Sequence, residues 1–314
     1  MRICTFRELP SGWEASHVLL THQAFGNSWD PRVLTSDRFR RGYPPFADYV
    51  GLCAWDRGRI VAALLVRHIP FRTRHGDRIV AGLGHVATSP EYRRRGLARA
   101  LITEAHRRER AHGTPFSILY TGRSIIAHAL YEKLGYCDIF DFPRGTRLIS
   151  RTAAGPALPW RWRPARASDR ARVEKLHARS VRGRYGFTRR GLDWRWGPRG
   201  YFVLEDDRRL RGYAKLERQG SVYGSFEAAA ESRTARRILL RAMEHQVAGR
   251  WLVLGGNVLR ESLPVMGRTT YDISESSHSV LMAASLAGKM RPTAISHELG
   301  ADDPRFAIGD QDFF

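Results

Sequence analysis

The stretch from Gly82 to Tyr136, GLGHVATSPEYRRRGLARALITEAHRRERAHGTPFSILYTGRSIIAHALYEKLGY, constrains this chain more than any other. An apolar strand ending in Val86, Ala87 and Thr88 passes through Ser89-Pro90-Glu91-Tyr92 into Arg93-Arg94-Arg95-Gly96-Leu97-Ala98, where a helix begins. From Leu97 the apolar residues Leu97, Leu101, Ile102 and Ala105 recur at helical spacing, with Glu104, Arg107 and Arg108 on the other face. A glycine therefore stands where strand becomes helix. The first amides of a helix lack partners within it and the macrodipole adds partial positive charge, so backbone N–H groups there suit a pyrophosphate. Gly96 has no Cβ and lets an anion approach closely. One glycine in a strand-to-helix turn is also ordinary, and arginines crowd the whole sequence, so the turn alone leaves both readings open.

The turn reads Arg93-x-x-Gly96-x-Ala98 behind Pro90-Glu91-Tyr92. After a short strand, Phe116 to Tyr120, a helix from about Ser124 carries Ala127, Leu130, Tyr131 and Leu134 on one face and stops at Gly135. This gives Leu130-Tyr131-Glu132-Lys133-Leu134-Gly135-Tyr136. The two motifs, in this order and spacing, resemble those of the GNAT superfamily of N-acetyltransferases. That family's acetyl-CoA loop reads Gln/Arg-x-x-Gly-x-Gly/Ala, and the tyrosine of its second motif commonly protonates the departing CoA thiolate. The resemblance implies acetyl-CoA as cosubstrate and no metal. It assigns cosubstrate binding to Val86, Ala87, Thr88, Arg93, Arg94, Arg95, Gly96, Leu97, Ala98, Ser124 and Tyr131. It also implies Tyr131 as the acid and backbone N–H groups near Val86 to Thr88 as oxyanion donors, a helix tyrosine packed in the core being the alternative for Tyr131. His85 titrates near neutrality and lies on the strand that often carries the base in this superfamily. Strand alternation can instead turn it into the core.

The pattern of elements predicts an α/β fold with a mixed sheet. Ile3 to Leu9, Tyr49 to Trp55 and Ile60 to Ile69 read as strands, and Ser11-x-x-Glu14 has the form of a capping box opening a first helix. The aromatics Trp29, Phe39, Tyr43 and Phe46 sit in a stretch without a clean period, which in the GNAT fold shapes the acceptor pocket. Closing strands around Ile139 and Arg147 to Ile149 complete a catalytic GNAT domain over residues 1–150, followed by a linker over 151–160. The order then repeats across 161–286, with strands at Arg161 to Pro164, Tyr201 to Leu204 and Leu210 to Glu217, a helix over Thr234 to Gln246, and a last strand at Ser279 to Ala284. Here Glu231-Ser232-Arg233-Thr234-Ala235 stands at the glycine turn and Leu263-Pro264-Val265 in the region of Tyr131, so this GNAT-like domain reads as degenerate. Residues 287–314 read as a short tail.

An active and a degenerate GNAT domain in tandem resemble the Eis-type (enhanced intracellular survival) acetyltransferases. In those enzymes a further sterol-carrier-like domain follows, and the terminal carboxylate enters the first active site as a base. That resemblance makes the Phe314 carboxylate a second candidate base, although no third domain follows here. It also implies a small-molecule amine, such as a polyamine or aminoglycoside, or a peptide lysine as acceptor.

The formal net charge is +21, and 48 of the 52 basic residues are arginine. That charge is spread evenly over both halves, which favours a compositional habit over one nucleic-acid patch, although Trp160-Arg161-Trp162-Arg163 and Trp194-Arg195-Trp196 are of a kind that stacks on bases. Alternation at period two also suits a strand with its tryptophans buried. Cys4, Cys53 and Cys137 are odd in number and lack metal-ligand spacing, and no apolar run approaches the length of a membrane span. Together these predict a cytoplasmic acetyltransferase with no membrane association, and they leave homo-oligomers open. A non-catalytic acyl-CoA sensor is the alternative.

Overall fold

The computed structural model describes residues 1–26, 51–151, 158–187, 199–207, 209–266, 271–275 and 278–308, which divide into two compact units. The first comprises Met1–Phe140 and Val280–Asp302; the second comprises Asp141–Ser279 and the residues from Asp303 to Ile308.

In the first unit, β1 (Arg2–Thr5), β2 (Gly51–Asp56), β3 (Arg59–Thr73) and β4 (Gly76–Thr88) run as successive antiparallel neighbours. β5 (Phe116–Gly122) lies parallel to β4, joined to it through the helix Leu97–Ala111, and β6 (Cys137–Asp141) lies further along the same sheet. Helix α1 (Trp13–Phe25) packs on one face, where Trp13 and Leu20 meet Cys4, Phe6, Cys53, Ala63, Leu65 and Ala87. Helices α2 (Leu97–Ala111) and α3 (Ile126–Glu132) supply the other cluster, with Leu97, Leu101, Ile102, Ala105 and Tyr131 against Leu52, Leu64 and Val66. Alternate residues of β2 and β3 divide between these two clusters, as a strand buried on both faces requires. The predicted capping box at Ser11 does not form. Gly12 occupies the cap position, and α1 starts at Trp13 without a side-chain cap.

In the second unit, β7 (Arg144–Leu148), β8 (Arg161–Pro164), β9 (Tyr185–Phe187), β10 (Tyr201–Asp206), β11 (Arg209–Gln219), β12 (Val222–Ala230), β13 (Trp251–Gly255) and β14 (Asp272–Ser274) accompany three helices, α4 (Arg170–Ser180), α5 (Arg233–Gln246) and α6 (Gly256–Ser262). The sheet order is β14-β7-β13-β12-β11-β10-β8. Trp162 stacks on Phe202 at 5.1 Å, and both it and Trp160 pack against the core of this unit. The repeat thus runs into a strand as read, but Trp160 lies just before it and both tryptophans are only partly buried. Trp194 to Trp196, like Trp29 to Phe46, lies outside the described residues.

Two strands lie where chain order does not put them. The strand near Arg147, read as closing the first domain, is β7, and it pairs with β13 and β14 in the second sheet. The strand at Ser279, read as the last of the second domain, is β15 (Ser279–Ser285), and it sits between β5 and β6 in the first. Burial supplies the reason. Val280 to Ala284 are five consecutive buried apolar residues, which need neighbours on both edges and cover on both faces. The boundary read at residue 150 thus differs from that of the compact units.

The segment read as a tail is structured as far as Ile308. Helix α7 (Pro292–Leu299) starts on a proline, ends at Gly300 and buries Ile295 and Leu299. Within the first unit Arg74 binds Asp302 at 2.8 Å and its backbone N–H meets the Glu298 carbonyl at 3.0 Å. In the second, β16 (Phe306–Ala307) pairs in parallel with β9.

Candidate active site

β4 and β5 are in register from Ala81↔Ser117 to Leu83↔Leu119, but β4 continues to Thr88 and β5 to Gly122. Past Leu83 the two strands part. On its other edge β4 pairs with β3 through a β-bulge, since only Leu64 separates Ala63↔Ala87 from Leu65↔Gly84 while two residues, His85 and Val86, separate their partners. His85 takes the strain at φ 51°. The parted edge of Gly84 to Thr88 has no paired strand among the described residues, so its backbone groups are open to an extended ligand. Val86 packs towards the α2 and α3 cluster, and Ala87 towards α1.

The turn after β4 has a backbone geometry able to hold an anion. Arg94 (φ 62°) and Gly96 (φ 77°) both adopt left-handed backbone, the local conformation in which successive N–H groups form an anion-binding concavity. The Gly96 carbonyl then accepts the first helical hydrogen bond, from Ala100 N–H at 3.0 Å. The first turn of α2 contains no acidic residue and does contain Arg99. Without an anion this arrangement works against the helix dipole. Arg95 folds back over the Tyr92 ring, 4.8 Å from its centroid, and donates to the Glu91 carbonyl. Arg59 takes the Glu91 carboxylate at 2.6 Å. Arg93 and Arg94 are exposed and make no side-chain ion pair among the described residues, which leaves them available to a phosphate.

Among the described residues a Cβ at Gly96 would meet no atom within 4 Å, so there Gly96→Ala is opposed by its left-handed backbone alone, at about 1–2 kcal/mol. Relaxation of that strain turns the N–H groups away from the concavity. The expected result by calorimetry is a roughly tenfold weaker Kd for CoA with unchanged circular dichroism, and Gly96→Asp weakens it further by placing a negative charge at the same spot.

Tyr131 is held from two sides. Helix α3 is pinned through Asp138, whose carboxylate contacts His128 at 2.9 Å and Arg123 at 3.0 Å. The helix stops at Glu132, earlier than the Gly135 expected from sequence, and the following turn uses Gly135 (φ 91°) to bring Tyr136 N–H back to the Tyr131 carbonyl at 3.1 Å. That return explains the Leu-Gly-Tyr sequence. Tyr131 is 7 % exposed, its ring lies 5.9 Å from that of Tyr136, and its hydroxyl has no hydrogen-bond partner among the described residues. Burial pushes its pKa up to about 12, so it stays protonated across the physiological range. Behind it runs a chain that the sequence did not reveal. The Tyr136 hydroxyl bonds Ser117 at 2.6 Å and His106 Nε2 at 2.9 Å, and Ser117 also donates to the Ala81 carbonyl. Ser117 is on β5, His106 on α2 and Tyr136 just before β6, and no local pattern links them.

Of the predicted residues, Val86, Leu97 and Tyr131 share one packed cluster. Thr88 ends β4, Ala98 lies in the first turn of α2, and Ser124 is an exposed turn residue two positions before α3 begins at Ile126. His85 stands apart from Tyr131, on the side of the sheet covered by α1, where its ring meets Phe25 edge-on at 5.5 Å. Burial lowers its pKa, leaving a neutral imidazole near pH 7. His17, also on α1, is lowered to about 4 by burial and then by His85. Phe314 lies outside the described residues. Among the described residues there is no group of three metal-ligating side chains, and no helix is long and apolar enough to cross a membrane.

The second unit repeats this framework without the site. β12 and β13 are parallel up to Ser225↔Leu254, and a bulge at Ser225 and Phe226 matches that at His85 and Val86. There the Phe226 ring fills the space beside the strand ends, where a Cβ on either Gly224 or Gly255 would overlap it. The cap of α5 is the Ser232 hydroxyl, which accepts from Ala235 N–H at 3.1 Å and so occupies the helix end itself. Helices α3 and α6 are both seven residues long, and the sixth is Tyr131 in one and Glu261 in the other. Glu261 is bound by Arg184 and Arg236. It is Glu261, and not Leu263 to Val265, that stands in the place of Tyr131.

Residues 7–138 match the family model of the acetyltransferase (GNAT) domain, and this part of the chain is a GNAT acetyltransferase domain. The protein is accordingly an acetyltransferase. Among curated proteins none matches. Among solved structures, a GCN5-related N-acetyltransferase from Kribbella flavida superposes with TM-score 0.63 at 18% identity, covering 90% of this chain and 70% of its own. Eis1 from Mycobacterium abscessus gives 0.61 at 16%, covering 90% and 73%. An N-myristoyltransferase from Saccharomyces cerevisiae with bound myristoyl-CoA gives 0.57 at 9%, covering 93% and 81%. At these identities the likeness is one of fold.

Proposed function

We propose that the first unit transfers the acetyl group of acetyl-CoA directly to a primary amine of a small molecule or peptide, in the cytoplasm. The observation that carries this reading is the alignment of three features along one edge: the parting of β4 from β5, the left-handed turn at Arg94 and Gly96, and the Tyr131 hydroxyl, which has no hydrogen-bond partner among the described residues. The pyrophosphate fits the turn, with Arg93 and Arg94 as counter-ions. The pantetheine fits the open edge of β4 as an added strand, which directs the thioester towards the bulge. A bulge leaves one residue out of the ladder, and the N–H groups from Val86 to Thr88 supply oxyanion donors as the carbonyl becomes tetrahedral. Tyr131 donates to the departing sulfur. His85 or water takes the proton of the amine. Holding amine and thioester together supplies much of the rate.

The test is product analysis by mass spectrometry after incubating the full chain with acetyl-CoA and a panel of polyamines, aminoglycosides and lysine peptides. An acetylated amine formed in step with CoA is the expected result. Binding of acetyl-CoA with no acetylated product from any amine would replace this reading with a sensor.

A further inference from the structure

Two of the three cysteines face one another. The antiparallel register of β1 on β2 sets Cys4 opposite Cys53, 49 residues on in the chain, with the two Sγ atoms 3.7 Å apart. Directly opposed residues of an antiparallel pair have Cα atoms about 4.5–5.5 Å apart, within the range of about 4.4–6.8 Å that a disulfide spans. Both side chains are in the cluster under α1, and Cys53 also contacts the Cys4 carbonyl at 3.5 Å. Cys137 lies half-buried on β6 beside the Ala283 carbonyl, outside that cluster.

We propose that Cys4 and Cys53 form a dithiol–disulfide pair, reduced in a reducing compartment and closed by peroxide when β1 lifts from β2. Peroxide converts one thiol to a sulfenic acid with loss of one water. The second sulfur then attacks the sulfenic sulfur, the S–S bond forms as the S–O bond breaks, and a second water leaves. Two thiols and one hydrogen peroxide thus give one disulfide and two waters.

Access is gated by the strand. Cys4 is 2 % exposed and Cys53 is fully covered, and burial raises the Cys53 thiol well above its ordinary pKa, so the closed pair is protected. Yet β1 is only four residues long, lies at the sheet edge and leaves Arg2 and Ile3 exposed, the features of a segment that opens locally. Its closed state is held by the Met1 ammonium on Asp56 at 3.2 Å, and Asp56 in turn accepts from the Tyr92 hydroxyl at 2.9 Å. Oxidation is therefore gated by strand opening and follows the population of the open form when reclosing is faster than the peroxide reaction.

The experiment treats the full chain with hydrogen peroxide, alkylates remaining thiols in denaturant, and maps peptides without reduction. The expected product is an intramolecular Cys4–Cys53 peptide pair, with Cys137 outside it. The oxidised chain melts a few degrees higher, because closing this loop restricts the unfolded state. That shift persists in Cys137→Ser and is absent in Cys53→Ser. Recovery of Cys4 and Cys53 as separate alkylated thiols or separate sulfinic acids, or cross-linked to Cys137, overturns the proposal.

Discussion

Tyr131→Phe is expected to lower kcat by about 10²- to 10³-fold while leaving the Kd of acetyl-CoA within about threefold of wild type. Phenylalanine keeps the ring that packs with Leu97 and Tyr136, so the change removes the hydroxyl alone. That hydroxyl has no bond to lose among the described residues, and its removal leaves no orphaned partner behind. The raised pKa of about 12 also bears on its task. A thiol in water has a pKa near about 8.5, so complete transfer from so weak an acid to a solvated thiolate runs uphill. Burial raises the pKa of a thiolate at the same place and narrows the gap. The hydroxyl therefore acts first as a hydrogen-bond donor to charge developing on sulfur. Steady-state thiol release and equilibrium binding, measured side by side, separate the two constants.

Asp169→Ala is expected to destabilise the second unit by about 3–5 kcal/mol, read as a lower urea midpoint by tryptophan fluorescence. Asp169 is 1 % exposed. Its carboxylate takes both guanidinium nitrogens of Arg163, at 2.7 and 3.0 Å, together with Arg172 and the Arg166 N–H. Arg163 also holds Glu205. Truncation leaves a largely buried guanidinium with half its acceptors. The same network fixes a pH dependence. Arg163 first of all holds the Asp169 carboxyl far below the usual carboxylate range, so the unfolded chain binds its proton at a higher pH than the folded one. This contribution is complete above the unfolded pKa of about 3.9 and is lost as pH falls through it towards the folded value. Asp169→Asn is accordingly less stable than wild type at pH 7, and the difference shrinks at pH 3.

The parts of this protein that were legible in its sequence are those whose physics is local. The glycine turn at Gly96 and the apolar stripe of α2 follow from spacing within a few residues and are found where they were expected, while the helix expected to run to Gly135 stops at Glu132 and leaves Leu134-Gly135-Tyr136 in the turn after it. The strand exchange was not legible. Arg147 to Ile149 and Ser279 to Ala284 read as strands, but nothing within either says which sheet it joins, because that is decided by the edges left open elsewhere. The chain of Tyr136, Ser117 and His106 and the pairing of Cys4 with Cys53 were hidden for the same reason. Glu261 was obscured by a simpler matter of register. The Leu263-Pro264 sequence draws the eye, while helix position shows that the residue in the place of Tyr131 comes two positions earlier.

The most direct test of the central claim is rapid mixing of the full chain with acetyl-CoA, following free thiol with and without an amine that the product analysis has identified as an acceptor. Direct transfer at the edge of β4 predicts no thiol release in the absence of amine and turnover once it is added, with one acetylated amine for each thiol. A burst of thiol without amine would reveal an acetylated protein intermediate and contradict direct transfer.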